Sequence, residues 1–178
     1  MKLGIAEVLK MVSEAKTNDK KIELLRKHDC VPIRVVLKCA LDPEIEWLLP
    51  KGKVPYTPCE LPDLEGVLYS DIRKLLIFTR SGEYDNLARN RREMLFIEFM
   101  EGLAPLDAML IEQVKDKTLP WDISPQIISE AYPGLLPAGL VTEAKVQKVK
   151  KSVSPKVLEG LAKAREVRKQ KLAQARNS

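Results

Sequence analysis

The side chains of this chain with chemistry to offer are mostly cations. Arg80, Arg89, Arg91 and Arg92, with Asn90 among them, form the densest basic cluster before residue 141. A planar guanidinium with five donors suits phosphate oxygens or a narrow minor groove. Glu83, Asp85 and Glu93 lie within a few residues of the cluster, and a solvated, self-paired helix face is the commoner use of such a run. Further on, Lys145, Lys148, Lys150, Lys151, Lys156, Lys163, Arg165, Arg168, Lys169 and Lys171 are spread through a segment without aromatic residues. Cations spaced this way can track a phosphate backbone without reading its sequence. A solubilising tail and a helix that docks on a partner protein are the other two uses of the same pattern.

Other chemistries lack their parts. His28 is the only histidine, so no Ser-His-Asp set can be assembled, and there is no nucleophile elbow. Cys30, Cys39 and Cys59 with His28 do not have zinc-ligand spacing. Cys39 sits in an apolar helical pattern and reads as a core thiol. Glu44, Glu46, Glu60, Asp63 and Glu65 fall in a proline-rich stretch with no histidine or second base beside them, which fits a solvated loop better than acid–base work. No P-loop and no G-x-G-x-x-G is present. Met94, Phe96, Phe99, Met100 and Met109 recur at helical spacing, as core residues do. The expectation is a protein that is not an enzyme, with no cofactor, no metal and no small-molecule substrate.

A chain of 178 residues, 45% hydrophobic and 31% charged, suffices for one ordinary domain with its own core. Aromatics are 5% and there are only 8 glycines, which argues against a turn-rich β protein and against base-stacking OB-fold or RRM modes. The net charge of +5 is unevenly placed: residues 142–178 hold eleven basic and three acidic residues, net +8, which leaves 19 basic and 22 acidic residues before them, net −3. Bulk charge therefore favours nucleic acid at the C-terminal segment and not at the body, which would need a local patch. An odd cysteine count and no leader pattern at the N-terminus point to free thiols in a reducing compartment. No run approaches the roughly 18 apolar residues of a membrane span.

The elements that must position these groups are helices. Ile5, Val8, Leu9 and Val12 predict a helix over 3–16, and Thr17-Asn18-Asp19 caps a second that runs to about His28. Pro32 opens a third, ended by Asp42-Pro43. Five prolines, 43, 50, 55, 58 and 62, make 42–66 an extended connection whose Trp47, Leu48, Leu49 and Tyr56 are expected to pack on the body. Further helices are expected over 68–79, 86–101 and 105–115, and a short one from Ser124-Pro125 to Tyr132. Ser154-Pro155 starts a last one, over about 155–172, with a thin stripe of Val157, Leu158, Leu161, Ala164 and Val167. The fold class is all-α: one domain over 1–140 and a basic helical extension over 141–178.

Several of these stretches resemble the N-terminal helical DNA-binding domain of T4-type ATP-dependent DNA ligases. They are G-I-A-E-V-L-K-M-V-S-E-A near the start, K-K-I-E-L-L-R-K-H-D, V-V-L-K-C-A-L-D-P-E-I-E-W, D-A-M-L-I-E-Q-V-K-D-K, and the closing I-I-S-E-A-Y-P-G-L-L-P at 127–137. The similarity runs over most of 3–137, and the P-G-L-hydrophobic-P ending is its most specific element. The K-x-D-G lysine that takes AMP in those ligases occurs nowhere here. The chain is also similar to proteins of large tailed phages. The resemblance implies a non-catalytic, nucleic-acid-binding accessory protein that grips duplex DNA through backbone and minor groove, in the cytoplasm of an infected bacterial cell or in a virion. It places Lys115, Lys117 and Ser124 in the family's phosphate-contacting turn before a helix N-terminus, with both lysines expected to be exposed. The family's turn has a glycine; Lys115 to Ser124 has none, and Pro120 and Trp121 stand in that region. The other reading of the same scaffold is a structural or adaptor protein, built for protein–protein contacts.

Overall fold

A computed structural model describes residues 3–59, 61 and 64–137. The expected helix over 155–172 and the cations from Lys145 to Lys171 lie outside the described residues. Within them the protein is all-α, with helices α1 (Ile5–Glu14), α2 (Asn18–Lys27), α3 (Val31–Leu41), α4 (Val67–Asp71), α5 (Leu75–Phe78), α6 (Arg89–Glu101), α7 (Pro105–Lys115) and α8 (Pro125–Ala131). The only strand-like pairing among the described residues is one antiparallel bridge between Trp47 and Thr79.

α7 is the central element, packing against α1, α3 and α6. Ala108, Leu110, Ile111 and Val114 are buried along it, so it is covered on more than one side. Ile5, Ala6, Val8, Leu9 and Val12 give α1 a single apolar stripe toward it. α2 buries only Leu25 and packs against α1 and α8. Tyr132 donates its hydroxyl to the Leu25 carbonyl at 2.6 Å, and Arg26 donates to the Glu130 carbonyl at 2.7 Å. Phe78, Phe96 and Phe99 cluster where α5 meets α6, with the first two edge-to-face at 4.9 Å.

The N-terminus of α1 is capped from across the fold. Gly4 occupies the cap position and has no side chain to offer. Glu7 accepts from the Gly4 amide at 3.0 Å, and Asp107, in the first turn of α7, accepts from the buried Ala6 amide at 2.8 Å. The second carboxylate oxygen of Asp107 meets no donor, and burial lifts its pKa to about 6.

Two expected helices come out differently. The stretch 68–79 is not one α-helix but α4, a 3₁₀ turn over Ile72–Lys74, and α5. The tighter turn aligns residues three apart, and Ile72 and Leu75, so spaced, are both buried. α6 starts at Arg89 and not at Asn86. The carbonyl of Asp85, which a start at Asn86 would commit to the Arg89 amide, is instead turned, with that of Tyr84, onto the guanidinium of Arg92. Met94, expected in the core, is 54% exposed, whereas Phe96, Phe99 and Met100 are buried.

Residues 42–59 form no helix, and 50–57 are bonded to α6, α7 and the turn after it. Apart from the bridge at Trp47, the segment belongs to no sheet, and three backbone N–H groups of 50–57 are met by side chains. Asp116 accepts from Gly52 at 3.1 Å, Glu112 from Val54 at 2.8 Å and Glu101 from Thr57 at 3.1 Å. Leu48 and Arg80 donate their amides to the carbonyls of Phe78 and Glu46, each at 2.8 Å, which ties the segment to the end of α5.

Candidate nucleic-acid interface

Lys115 ends α7 and is buried, with 4% of its surface exposed, contrary to the expectation of an exposed lysine. Its ammonium donates to the carbonyls of Pro50 at 2.9 Å and Gly52 at 3.1 Å and to the Asp116 carboxylate at 2.6 Å. An ammonium has three protons, and all three are used. None is left for a phosphate in this arrangement.

Lys117 follows the end of α7 with φ of 62°, a left-handed conformation that favours glycine. Its amide donates to Val114, and the Thr118 amide reaches back to Gln113, so the turn closes the helix in Schellman fashion. A lysine thus adopts the helix-ending backbone that glycine most often supplies. The side chain is half-buried, and its ammonium donates to the carbonyls of Cys39 at 2.9 Å and Asp42 at 2.7 Å. A cation here meets the negative end of α3. Burial lowers the Lys117 pKa, while burial pushes the neighbouring Cys39 thiol up to about 11, so that thiol stays protonated.

The arginine cluster splits into three roles. Arg92 is 6% exposed and donates to the carbonyls of Ile77, Tyr84 and Asp85 at 3.1, 2.8 and 3.3 Å. It is the post around which the 77–88 connection folds. Arg89 pairs with Glu93 one turn on, at 2.7 Å, and Arg80 pairs with Glu46 at 3.0 Å. Arg91 is exposed and has no ion-pair partner among the described residues. Ser124 stands at the cap position of α8 without a side-chain capping bond. α8 is two turns long and begins with Pro125, which has no N–H, so few free amides face outward there.

Lys115 of α7 and Glu93 of α6 line one common cleft. A cleft of about 100 Å³ is lined by residues 49–55 together with Glu93, Phe96 and Ile97 of α6 and Lys115 of α7. Glu93 is the partner of Arg89, so that pair reaches the cleft's rim. Lys51 and Lys53 are exposed on the loop over it, one on each side of Gly52, which has φ of 100°. Lys115 and Asp116 grip the backbone of that loop from below. Lys51 and Lys53 escaped the sequence reading because they sit within a run of prolines. The legible signal was the pattern P-K-G-K-V-P, a glycine turn flanked by two lysines.

A family model described as a family of unknown function, DUF6433, matches residues 8–120. The chain belongs to this family. No curated protein and no solved structure matches the chain. The DUF6433 match runs from α1 through the turn after α7. It includes Lys51, Lys53, Arg89 to Arg92, Lys115 and Lys117, and it excludes Ser124 and the basic segment 141–178. Among the described residues of this DUF6433 chain, no helix is long and apolar enough to cross a membrane, and no group of His, Cys, Asp or Glu is arranged to hold a metal ion.

Proposed function

We propose that the protein is a non-catalytic accessory protein that binds duplex nucleic acid through its backbone, without strong sequence preference. The contact is made by the basic segment 141–178, aided by the lysine loop of the body. The observation that carries this reading is the division of charge: net +8 over 142–178 against net −3 before it. Lys145, Lys148, Lys150, Lys151, Lys156, Arg165, Arg168 and Lys169 supply the phosphate contacts there. In the body the contacting residues are Lys51, Lys53, Arg89 and Arg91, whose side chains face solvent. Lys115 acts one step behind, by holding the loop backbone that carries Lys51 and Lys53. The ligase-like pattern adds the expectation of duplex over single strand, and the phage resemblance adds the setting, an infected bacterial cell or its virion.

The test is a titration of the full chain against a fluorescent duplex at two salt concentrations. Binding at low salt that falls steeply with added salt is the expected result. Lys51→Gln with Lys53→Gln should reduce the salt slope by about two, nearly one for each lost phosphate contact. If the full chain leaves the duplex unbound even at low salt, the nucleic-acid reading is lost.

The adaptor reading then takes first place. It is favoured by one specific observation: three of the six basic residues that the sequence singles out in the body, Arg92, Lys115 and Lys117, have their ionic groups on internal carbonyls.

A further inference from the structure

A second surface is built differently from the lysine loop. Between α3 and the α4–α5 stretch lies a groove of about 310 Å³. Its floor is apolar: Cys39, Ile72 and Leu75 are buried beneath it. Its walls carry aliphatic side chains left in water, with Val31 69% exposed and Leu76 48% exposed. Val31, Val35 and Lys38 follow one another along a single face of α3, over roughly 10 Å, which is the length of two helical turns. Exposed aliphatic residues gathered round a depression mark a contact site more than scattered ones do.

The charged residues that line the groove all have one sign. They are Lys38, Arg73 and Arg80. Lys38 has Asp42 at 3.9 Å and Arg80 has Glu46 at 3.0 Å, but neither carboxylate lines the groove, and Arg73 has no ion-pair partner among the described residues. From this combination we infer that the groove docks an amphipathic helix of a partner protein, with aliphatic residues on one face and carboxylates flanking them. The aliphatic face replaces water on Val31, Val35 and Leu76, and the carboxylates meet Lys38, Arg73 and Arg80.

Other occupants fit less well. A phosphate backbone would leave the aliphatic walls wet. The chain's own segment 142–178 carries net +8 and meets cations of its own sign. A second copy docking face to face would oppose the same three cations to themselves, which like-charge contact disfavours. The inference stands apart from nucleic-acid binding and is tested apart from it.

The probe is a synthetic three-turn peptide with leucines at i, i+3, i+4 and i+7 and glutamates elsewhere, titrated into the isotope-labelled full chain by NMR. A control peptide replaces every glutamate by lysine. Saturable shifts at Val31, Val35, Arg73 and Leu76 are expected with the acidic peptide, and binding of the lysine peptide at least about tenfold weaker. V31E with L76E should abolish the acidic peptide's binding while the thermal midpoint and duplex binding stay unchanged, because both side chains are exposed. The inference is overturned if the acidic peptide leaves the groove signals unmoved, or if both peptides bind alike. It is also overturned if the groove signals shift with protein concentration alone, which assigns the groove to a second copy. Movement of signals from 142–178 in the double variant, before any peptide is added, assigns it to the chain's own segment and overturns it equally.

Discussion

At the residue scale, the important distinction is between a cation whose donors are consumed and one whose donors are free. Lys117 combines two opposed effects, a left-handed backbone that costs a non-glycine residue about 1 kcal/mol and two hydrogen bonds to the end of α3. Lys117→Ala loses the bonds and keeps the strain; Lys117→Gly loses the bonds and relieves it. Urea unfolding should place the glycine variant about 1 kcal/mol above the alanine variant, and equal stabilities would show that the backbone strain is absent. Asp107 allows a sharper test. Its folded pKa of about 6 lies above the ordinary 3.8, so the folded state favours the protonated form. The stability that Asp107 contributes is therefore greatest below about pH 4, falls as pH rises through 6, and is level beyond. Glu7 and Glu65 add repulsion in the same direction. Asp107→Asn keeps an acceptor for the Ala6 amide and removes the titration. The variant should gain on the natural protein by up to about 3 kcal/mol between pH 4 and pH 7. A difference that does not change with pH would contradict the raised pKa.

At the scale of elements, what requires explanation is how a segment without secondary structure is held on a helical body. Residues 50–57 meet three acceptors on α6, α7 and the α7 turn and one ammonium, that of Lys115. Lys115→Met keeps the length of the stem but strands two carbonyls and leaves the Asp116 carboxylate with the Gly52 amide and no cation. It should cost about 1–3 kcal/mol and open residues 50–55 to proteolysis before the body unfolds. Thermal melts and limited digestion read the two effects, and an unchanged midpoint would mean that the clamp is idle. Arg92 plays the same part for 77–88. Arg92→Ala takes the guanidinium from three inward carbonyls, of which that of Tyr84 keeps the Leu87 amide, and should cost on the order of 2–4 kcal/mol, more than any change at exposed Arg91. The helical periodicity of α1, α3 and α7 was legible because each buries a stripe set by its own spacing. The late start of α6 was not, since it depends on carbonyls turned toward a side chain several residues ahead.

At the scale of the whole molecule, charge and shape divide the work. The body is slightly acidic and holds half of the cations singled out in it inward, while the excess positive charge belongs to 142–178. In the full chain, Lys→Gln at 145, 148, 150 and 151 should lower the salt slope of duplex binding by up to about four while leaving the thermal midpoint of the body in place. A slope equal to that of the natural protein would remove the segment as the electrostatic element. The groove between α3 and α5 is a separate surface with apolar walls and a basic lining, so a protein and a nucleic acid need not compete for the same residues.

The amino-acid sequence by itself determined that the protein is helical, where most helices begin and end, and where the prolines forbid one. These follow from short-range spacing, caps and the missing proline donor, which act within a few residues. It also determined the split of charge, since counting needs no coordinates. Only the tertiary structure decided what each cation does. Lys115 and Lys117 read as an exposed pair because the carbonyls they serve lie 63 to 78 residues away in the chain. Lys51 and Lys53 gained their place only when those buried contacts fixed the loop beneath them. A hydrogen-bond donor is spent or free according to which acceptors the fold brings to it, and no local pattern encodes that.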